Sequence, residues 1–430
     1  MLTIQDPELT QLMHEKMHEK MHEQQPASWL RQLNQQPILD LPFRSYFLLA
    51  VAFSIIAIAI WAGYLNGYFT FSTTGLSPII WHVHEMIFGF SATIAVGFIL
   101  TAAQTWTGKA SIKGLPVLLF IIVWLMARVC LLINQPTFIY IAIALQSLWW
   151  LASIAVFSHL VLSSQNRRNY LFIPLLISLM LLNITLLSLD LLNYSELAQH
   201  IARTSILMFC LLMAILGGRV IPFFTSSGAK LKAITTPTWL TTLLIATSVA
   251  GIVVFILSAF IELSFSPAGL MIVSGILHIV RLSYWRSIAT LKIPLLWSLH
   301  LAYFSLGFGL ILLGISYLPF EYLNIPLQFS DALHLITIAA MALMIFSMMC
   351  RVSLGHTGRA LIVHPLVSWL FIFIFIGATA RVLLPIFHLP LLGWNSSAFL
   401  WLLAASCFLK VYFPVLTTKK VERLYANKNT

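Results

Sequence analysis

Long apolar runs, separated by short polar connections, follow one another along the chain from about residue 43 onward. A helix needs about 20 apolar residues to cross roughly 30 Å of hydrocarbon, and twelve runs reach that length. They begin near Phe43, Ile80, Leu115, Phe138, Tyr170, Arg203, Trp239, Pro267, Pro294, Phe329, Leu361 and Asn395. Because most connections are short, successive helices are expected to pack as antiparallel neighbours. The pattern predicts an all-α, polytopic membrane protein with one helical bundle over residues 43–416.

Composition agrees with this prediction, since 60% of the 430 residues are hydrophobic and only 9% are charged. The placement of lysine and arginine predicts the orientation, because short cytoplasmic loops carry an excess of both. Connections after even-numbered spans are basic, whereas those after odd-numbered spans, such as residues 66–77, have neither. We therefore expect both termini to be cytoplasmic. This topology and contact with anionic membrane lipid account for most of the formal charge of +11, and no basic patch with interleaved aromatics indicates nucleic acid binding.

Polar tails flank the predicted membrane domain. Residues 1–42 form a cytoplasmic tail with a Met-His-Glu-Lys repeat over residues 13–23, and residues 417–430 form a basic tail. If the repeat is helical, its histidines share one stripe, and imidazole with thioether suits copper. The alternative is a solvated, partly disordered tail, which the Gln- and Asn-rich sequence up to Gln36 favours. The first 40 residues also lack the apolar core of a signal peptide.

Several common chemistries have no motif in this chain. The four cysteines stand singly in different spans, so packing is their expected role, and the lack of a Cys-x-x-Cys-His motif excludes covalently attached haem. Neither a phosphate-binding loop nor a dinucleotide-binding glycine motif is present. The sequence therefore offers no support for ATP hydrolysis or for a nicotinamide or flavin site.

Histidines inside the membrane are the most informative polar residues. Ionisable groups in lipid are costly, so each is a candidate for function. His82 and His84 open the second span and His334 opens the tenth, at one depth on the expected periplasmic side, whereas His278 and His300 lie nearer the middle. Residues two apart on a helix differ by about 200° in direction, so His82 and His84 suit two adjacent sites. The alternative for each histidine is a hydrogen bond to a neighbouring helix.

The histidine levels predict a noncovalent, b-type haem. We expect His84 and His334 to hold it near the periplasmic end, with His82, His278 or His300 serving a second haem or a copper centre. The assignment of individual ligands can be permuted among these residues.

Arginines inside the membrane fit the same prediction. Arg281 lies three residues after His278, so the two side chains share one helix face. A guanidinium such as that of Arg281 can hold a haem propionate with two parallel hydrogen bonds. For Arg128 and Arg381, that role and pairing with a buried acid such as Asp331 or Glu85 are both open. Glu85 is also a candidate acceptor that orients a ligating imidazole.

Five segments resemble motifs of the NnrS family of bacterial inner-membrane proteins. They are WHVHEMIFGF (81–90), GFILTAAQTWTG (97–108), GGRVIPFFT (217–225), HIVRLSYW (278–285) and RVSLGHTGR (351–359). The resemblance covers nearly all of the hydrophobic region, in order. It implies a twelve-helix inner-membrane protein that contains haem and copper, acts in denitrification and in protection against nitric oxide and nitrosative stress, and meets nitric oxide or a metal complex derived from it. It identifies no catalytic residue, and turnover, sensing and sequestration of the gas all stay open.

Two other function classes are alternatives. A secondary transporter can also have twelve spans, but the link between spans six and seven is short and no convincing repeat relates the two halves. A respiratory oxidase core subunit is also rich in histidine. It should show a His-Pro-Glu-Val-Tyr type of copper motif, and His-Pro-Leu-Val at residues 364–367 is a poor substitute at the wrong face.

Overall fold

The computed structural model describes residues 29–318 and 327–421, so the N-terminal Met-His-Glu-Lys repeat lies outside the described residues. A short helix, Trp29–Asn34, precedes the twelve bundle helices of the described residues, which contain no strand. The bundle helices are α1 Pro42–Leu65, α2 Pro78–Thr107, α3 Leu115–Ile133, α4 Pro136–Ser163, α5 Phe172–Leu191, α6 Ser195–Gly228, α7 Thr238–Leu257, α8 Ala268–Ser283, α9 Pro294–Ile315, α10 Phe329–His356, α11 Pro365–Ile386 and α12 Pro390–Thr417. The predicted all-α, polytopic architecture is confirmed.

Two helices differ from the apolar pattern. Helix α6 begins at Ser195, about two turns before the predicted start near Arg203. The prediction missed these turns because they are polar and hydropathy does not detect them. Glu196 in its first turn interacts favourably with the positive end of the helix dipole. Helix α8 has only 16 residues, whereas the other eleven are long and apolar enough to cross a membrane.

Successive helices pack as neighbours, and α1 also packs against α12, so the first and last helices close the bundle. Arg44 at the start of α1 donates to the carbonyl oxygens of Leu416, at 3.1 Å, and Thr418, at 2.7 Å. It thereby caps the end of α12, where a cation is favourable. We call the side on which the loops after even-numbered helices lie the basic face, and the opposite side the neutral face. Which face is cytoplasmic stays a prediction.

Helices α2 and α10 share a local irregularity. Each widens into a π-helix for eight residues, Glu85–Ala92 in α2 and Leu335–Ala342 in α10, directly after His84 and His334 respectively. Two hydroxyl side chains at the first segment donate to carbonyl oxygens five residues earlier, in keeping with the wider π turn. Such segments are rare and occur frequently at functional sites. The likeness marks the first turns of α2 and α10 as the place to look for a site.

Candidate functional site

A cavity of about 280 Å³ lies between α1, α2, α6, α10, α11 and α12, towards the neutral face. Most of its lining is apolar and includes Trp61, Trp394 and Trp401. The polar lining residues are His82, Ser91, Ser330, His334, Thr337, Arg381 and Ser397. Small-molecule sites are typically apolar with a few convergent polar groups, and this volume is near the lower end of their range.

A backbone carbonyl of α10 fixes the tautomer of His334 that can bind a metal. Its Nδ1 lies 2.6 Å from the carbonyl oxygen of Ser330, one turn earlier. A carbonyl oxygen only accepts, so Nδ1 carries the ring proton and donates it. Nε2 therefore keeps a free lone pair, on a side chain that lines the cavity. Histidines that bind a metal commonly have this arrangement, in which the other ring nitrogen donates to a backbone carbonyl or a carboxylate.

His82 lines the same cavity from α2. Its ring stacks on that of Trp61 in α1, with centroids 4.3 Å apart and an interplanar angle of 12°. Its Nδ1 is buried and has no hydrogen-bond partner among the described residues. Buried polar atoms nearly always have a partner, so an unpartnered imidazole nitrogen beside the cavity is unusual. The stacking holds the imidazole in one orientation at the cavity wall.

Arg381 of α11 brings positive charge to the cavity. Its guanidinium pairs with the carboxylate of Asp331 in α10 and lies 5.5 Å from the ring centre of Trp394. The second oxygen of that carboxylate, Oδ2, is buried and has no partner in the described part of the chain. Pairing with a buried acid was one of the two alternatives for Arg381. The structure shows this pairing in a residue that also lines the cavity.

His84 points away from the cavity, towards α4 and α5. Its Nε2 lies 3.0 Å from Oε1 of Gln146 and 2.9 Å from Oδ1 of Asn183, and its Nδ1 lies 3.3 Å from Oε1 of Glu85. The side chain is completely buried, and protein atoms engage both ring nitrogens. The structure therefore does not bring His84 to His334. The reason is helix geometry, since the histidine that faces the cavity stands two residues earlier, about 200° around α2.

Glu85 connects this polar network to a buried ion pair. Its Oε2 accepts a hydrogen bond from Nη1 of Arg128 in α3 at 2.5 Å, and both side chains are buried. Pairing with a buried acid was an alternative for Arg128 as well, and the structure shows it. Glu85 also contacts an imidazole, as predicted for an orienting carboxylate, but that imidazole is His84, outside the cavity.

His278, Arg281 and His300 lie among α6, α8 and α9, and none of them lines the cavity. Arg281 donates to the carbonyl oxygen of Ala214 at 2.9 Å and to the hydroxyl of Tyr303 at 3.3 Å, so its charge is directed away from the proposed propionate role. His300 has hydroxyl oxygens 2.7 and 2.8 Å from its two ring nitrogens. His278 lies edge-on to the ring of Tyr303, with centroids 5.1 Å apart.

The sequence-predicted site residues thus fall in three places. His82 and His334 both line the cavity, whereas His84 contacts the side-chain amides of α4 and α5. His278, His300 and Arg281 lie among α6, α8 and α9. Among the described residues, no three His, Cys, Asp or Glu side chains are arranged to hold a metal ion. The tryptophans of the cavity were not predicted from the sequence. Trp61 and Trp394 stand at the ends of α1 and α12 that reach the neutral face, and those positions were the available signal, whereas Trp401 lies near the middle of α12.

Comparison with known families matches residues 37–420 to the family described as NnrS protein. The match extends over nearly the whole chain and confirms the resemblance found in the five sequence motifs. No curated protein matches the chain. The family assignment therefore rests on a match that includes all twelve helices of the bundle.

Proposed function

The chain belongs to the NnrS family, and from this premise we propose that it is a bacterial inner-membrane protein of the nitric oxide response whose cavity binds b-type haem. The observation that supports the haem proposal most is the state of His334. Its Nδ1–H donates a hydrogen bond to the Ser330 carbonyl, so the lone pair of Nε2 is free to bind a ligand at the cavity. The cavity in turn places a second imidazole, His82, within the same lining.

The residues present fit the chemistry of haem. Apolar and aromatic walls suit the porphyrin, two imidazoles on different helices suit the iron, and the guanidinium of Arg381 suits a propionate. The present volume of about 280 Å³ is small for this ligand, so lining side chains must move outward. Met86 and Met341 line the cavity and are unbranched, which makes such movement easy. When bound, haem would supply an iron that can change oxidation state and that could bind a diatomic gas in place of one of the two imidazoles.

Each protein group has a separate role in this proposal. The Ser330 carbonyl accepts from Nδ1–H of His334 and so selects the tautomer of the neutral ring in which Nε2 carries a free lone pair. Trp61 fixes the plane of the His82 ring. Asp331 holds the guanidinium of Arg381 at the cavity wall and offsets its charge until a carboxylate binds. The surrounding apolar side chains exclude water from the ligand.

The described residues do not fit a copper centre. The three histidines predicted for it, His82, His278 and His300, lie in different places, and both nitrogens of His300 are engaged by hydroxyl groups. Copper in a protein needs several nitrogen or sulfur ligands that converge. We therefore derive no step through copper. The transporter alternative gains no support either, since the likeness between α2 and α10 covers only their first turns and the π segments that follow.

The test is haem content per protein in purified material, read from the Soret band. We expect His334→Ala to lose most of the haem and His82→Ala to lose it or shift the band. The matched control is His84→Gln, which changes a buried histidine two residues from His82 but outside the cavity, and which should keep the wild-type band. The proposal is wrong if His334→Ala, at normal membrane abundance, keeps wild-type haem content, or if wild-type protein from haem-replete cells holds none.

A link to denitrification and to protection against nitrosative stress is part of the same proposal and rests on family membership. A strain without this gene should grow more slowly than its parent under a nitric oxide donor. Wild-type protein should restore growth, and His334→Ala should not. Equal rescue by both versions would separate the stress function from the cavity.

A further inference from the structure

A second set of polar side chains begins at the basic face, among α6, α8 and α9. The hydroxyl of Thr225 donates to the carbonyl oxygen of Ile221 at 2.8 Å, so it accepts from Nε2–H of His300, 2.7 Å away. Nδ1 of His300 must then accept from the hydroxyl of Ser287, at 2.8 Å. The directions of these bonds are thus fixed, and they form a continuous hydrogen-bonded chain from the loop before α9 into the bundle.

Polar atoms continue one turn deeper. Tyr303 follows three residues after His300 on α9, and its hydroxyl accepts from Nη1 of Arg281 at 3.3 Å. Trp285 packs against both levels, with its ring centre 6.4 Å from that of His300 and 4.4 Å from that of Tyr303. Nε of Arg281 is buried with no hydrogen-bond partner in the described residues.

His278 is the next polar residue and lies near the middle of the bundle. It is 1% exposed, and neither of its ring nitrogens has a hydrogen-bond partner within the described part of the protein. Buried polar groups nearly always have a partner, so an imidazole with both nitrogens in this state is unusual. One turn further on α8, the hydroxyl of Ser274 lies 3.0 Å from that of Ser248 in α7.

A small void adjoins these two hydroxyls. Its volume is about 20 Å³, enough for one water, and its lining includes Thr247 and Cys210 besides the serines. Ser274, His278 and Arg281 share one face of α8 through their spacing of four and three residues. Beyond them towards the neutral face, the buried residues of α8 are the apolar Met271 and Ala268. On this face of α8 the stripe of polar residues therefore ends before the neutral face.

We propose that this stripe is a hydrated proton-uptake path from the basic face to His278. The proton comes from water at the loop before α9 and passes Ser287, His300 and Thr225. The Thr225 hydroxyl then turns from the Ile221 carbonyl to pass its proton through water to a ring nitrogen of His278. Only a proton moves, and no electron is transferred along the path. The charged or titratable groups around His278 are Arg281 on α8, Tyr303 on α9 and Cys210 on α6, while α7 contributes only hydroxyls.

The path lies close to the cavity. Leu207 of α6 lines the void and its neighbour Ile206 lines the cavity, so α6 borders both. A proton gained at His278 can thus offset an electron gained at the cavity. This use of the proton rests on the proposed haem function, whereas the path itself does not.

Two measurements test the proposal. The first is X-ray radiolytic hydroxyl labelling in ¹⁸O-water, which modifies buried residues that hold water beside them. Tyr303 and His278 should be labelled, whereas Trp150, equally buried among apolar groups, should not. Labelling of Tyr303 and His278 no greater than that of Trp150 overturns the proposal, whatever the cavity binds.

The second measurement is the midpoint potential of the bound haem as a function of pH. In the wild type the potential should fall as pH rises, because reduction takes up a proton. His278→Phe, which keeps a ring against Tyr303, and Thr225→Val, which interrupts the chain near its start, should both flatten this dependence. His200→Gln, outside the path, is the control. Variants with a normal Soret band and wild-type pH dependence refute the path, whereas wild-type protein without haem refutes the proposed function and leaves the labelling to decide.

Discussion

Replacing Arg128 with methionine should destabilise the bundle strongly, because the carboxylate of Glu85 then stays buried without its cation. Nη1 of Arg128 lies 2.5 Å from Oε2 of Glu85, and the side chains are 3% and 0% exposed. Removing one partner of a buried ion pair costs about 3–5 kcal/mol, whereas replacing both is often close to neutral. We expect Arg128→Met to lower the free energy of unfolding by about that amount, and the double variant with Glu85→Gln to recover about 2 kcal/mol of it.

The assay is reversible unfolding in mixed micelles of dodecyl maltoside and SDS, followed by tryptophan fluorescence, for the wild type, both single variants and the double variant. Glu262→Gln is the control, since Glu262 is exposed in the loop after α7 and surface substitutions usually stay within about 0.5 kcal/mol. The reasoning is refuted if Arg128→Met unfolds like the control, or if the two single effects simply add in the double variant.

Three further predictions concern Gly89, the N-terminal tail and the membrane topology. Gly89→Ala should lower the free energy of unfolding by about 1–3 kcal/mol in the same assay, because a Cβ there would lie 2.5 Å from Oε2 of Glu85 and 2.8 Å from Nη1 of Arg128. An unchanged free energy of unfolding would show that the ion pair can shift freely. Deleting the residues before Gln32 should leave haem content unchanged, since they precede every residue of the cavity, and loss of haem would assign the tail a role in loading. Reporter fusions at Ser77 should be periplasmic and those at Gly108 cytoplasmic, and the reverse result would place the cavity at the opposite membrane surface.

Hydropathy was sufficient to predict the fold. Twelve apolar runs and short connections leave few arrangements for a membrane protein, because every backbone polar group in lipid must be satisfied within a helix. The exceptions are local. The polar first turns of α6 hid its start at Ser195, and the π segments after His84 and His334 leave no recognisable mark in the apolar pattern.

The candidate site was predictable only in part. The sequence identifies the depth of each histidine and the divergence of His82 from His84, but not how α2 is rotated about its axis. That rotation depends on packing against α1, α4 and α5, where Trp61, Gln146 and Asn183 receive the two imidazoles. Likewise, spacing on α8 relates Arg281 to His278 but says nothing about which cavity either residue faces.

The central claim is that Nε2 of His334 is available to bind haem iron at the cavity. The most direct measurement is the absorption spectrum of purified His334→Gly with and without added imidazole, which can replace the missing side chain. Haem should be lost, or its Soret band shifted, in the variant, and imidazole should restore the wild-type band. A wild-type spectrum in His334→Gly without imidazole would contradict it.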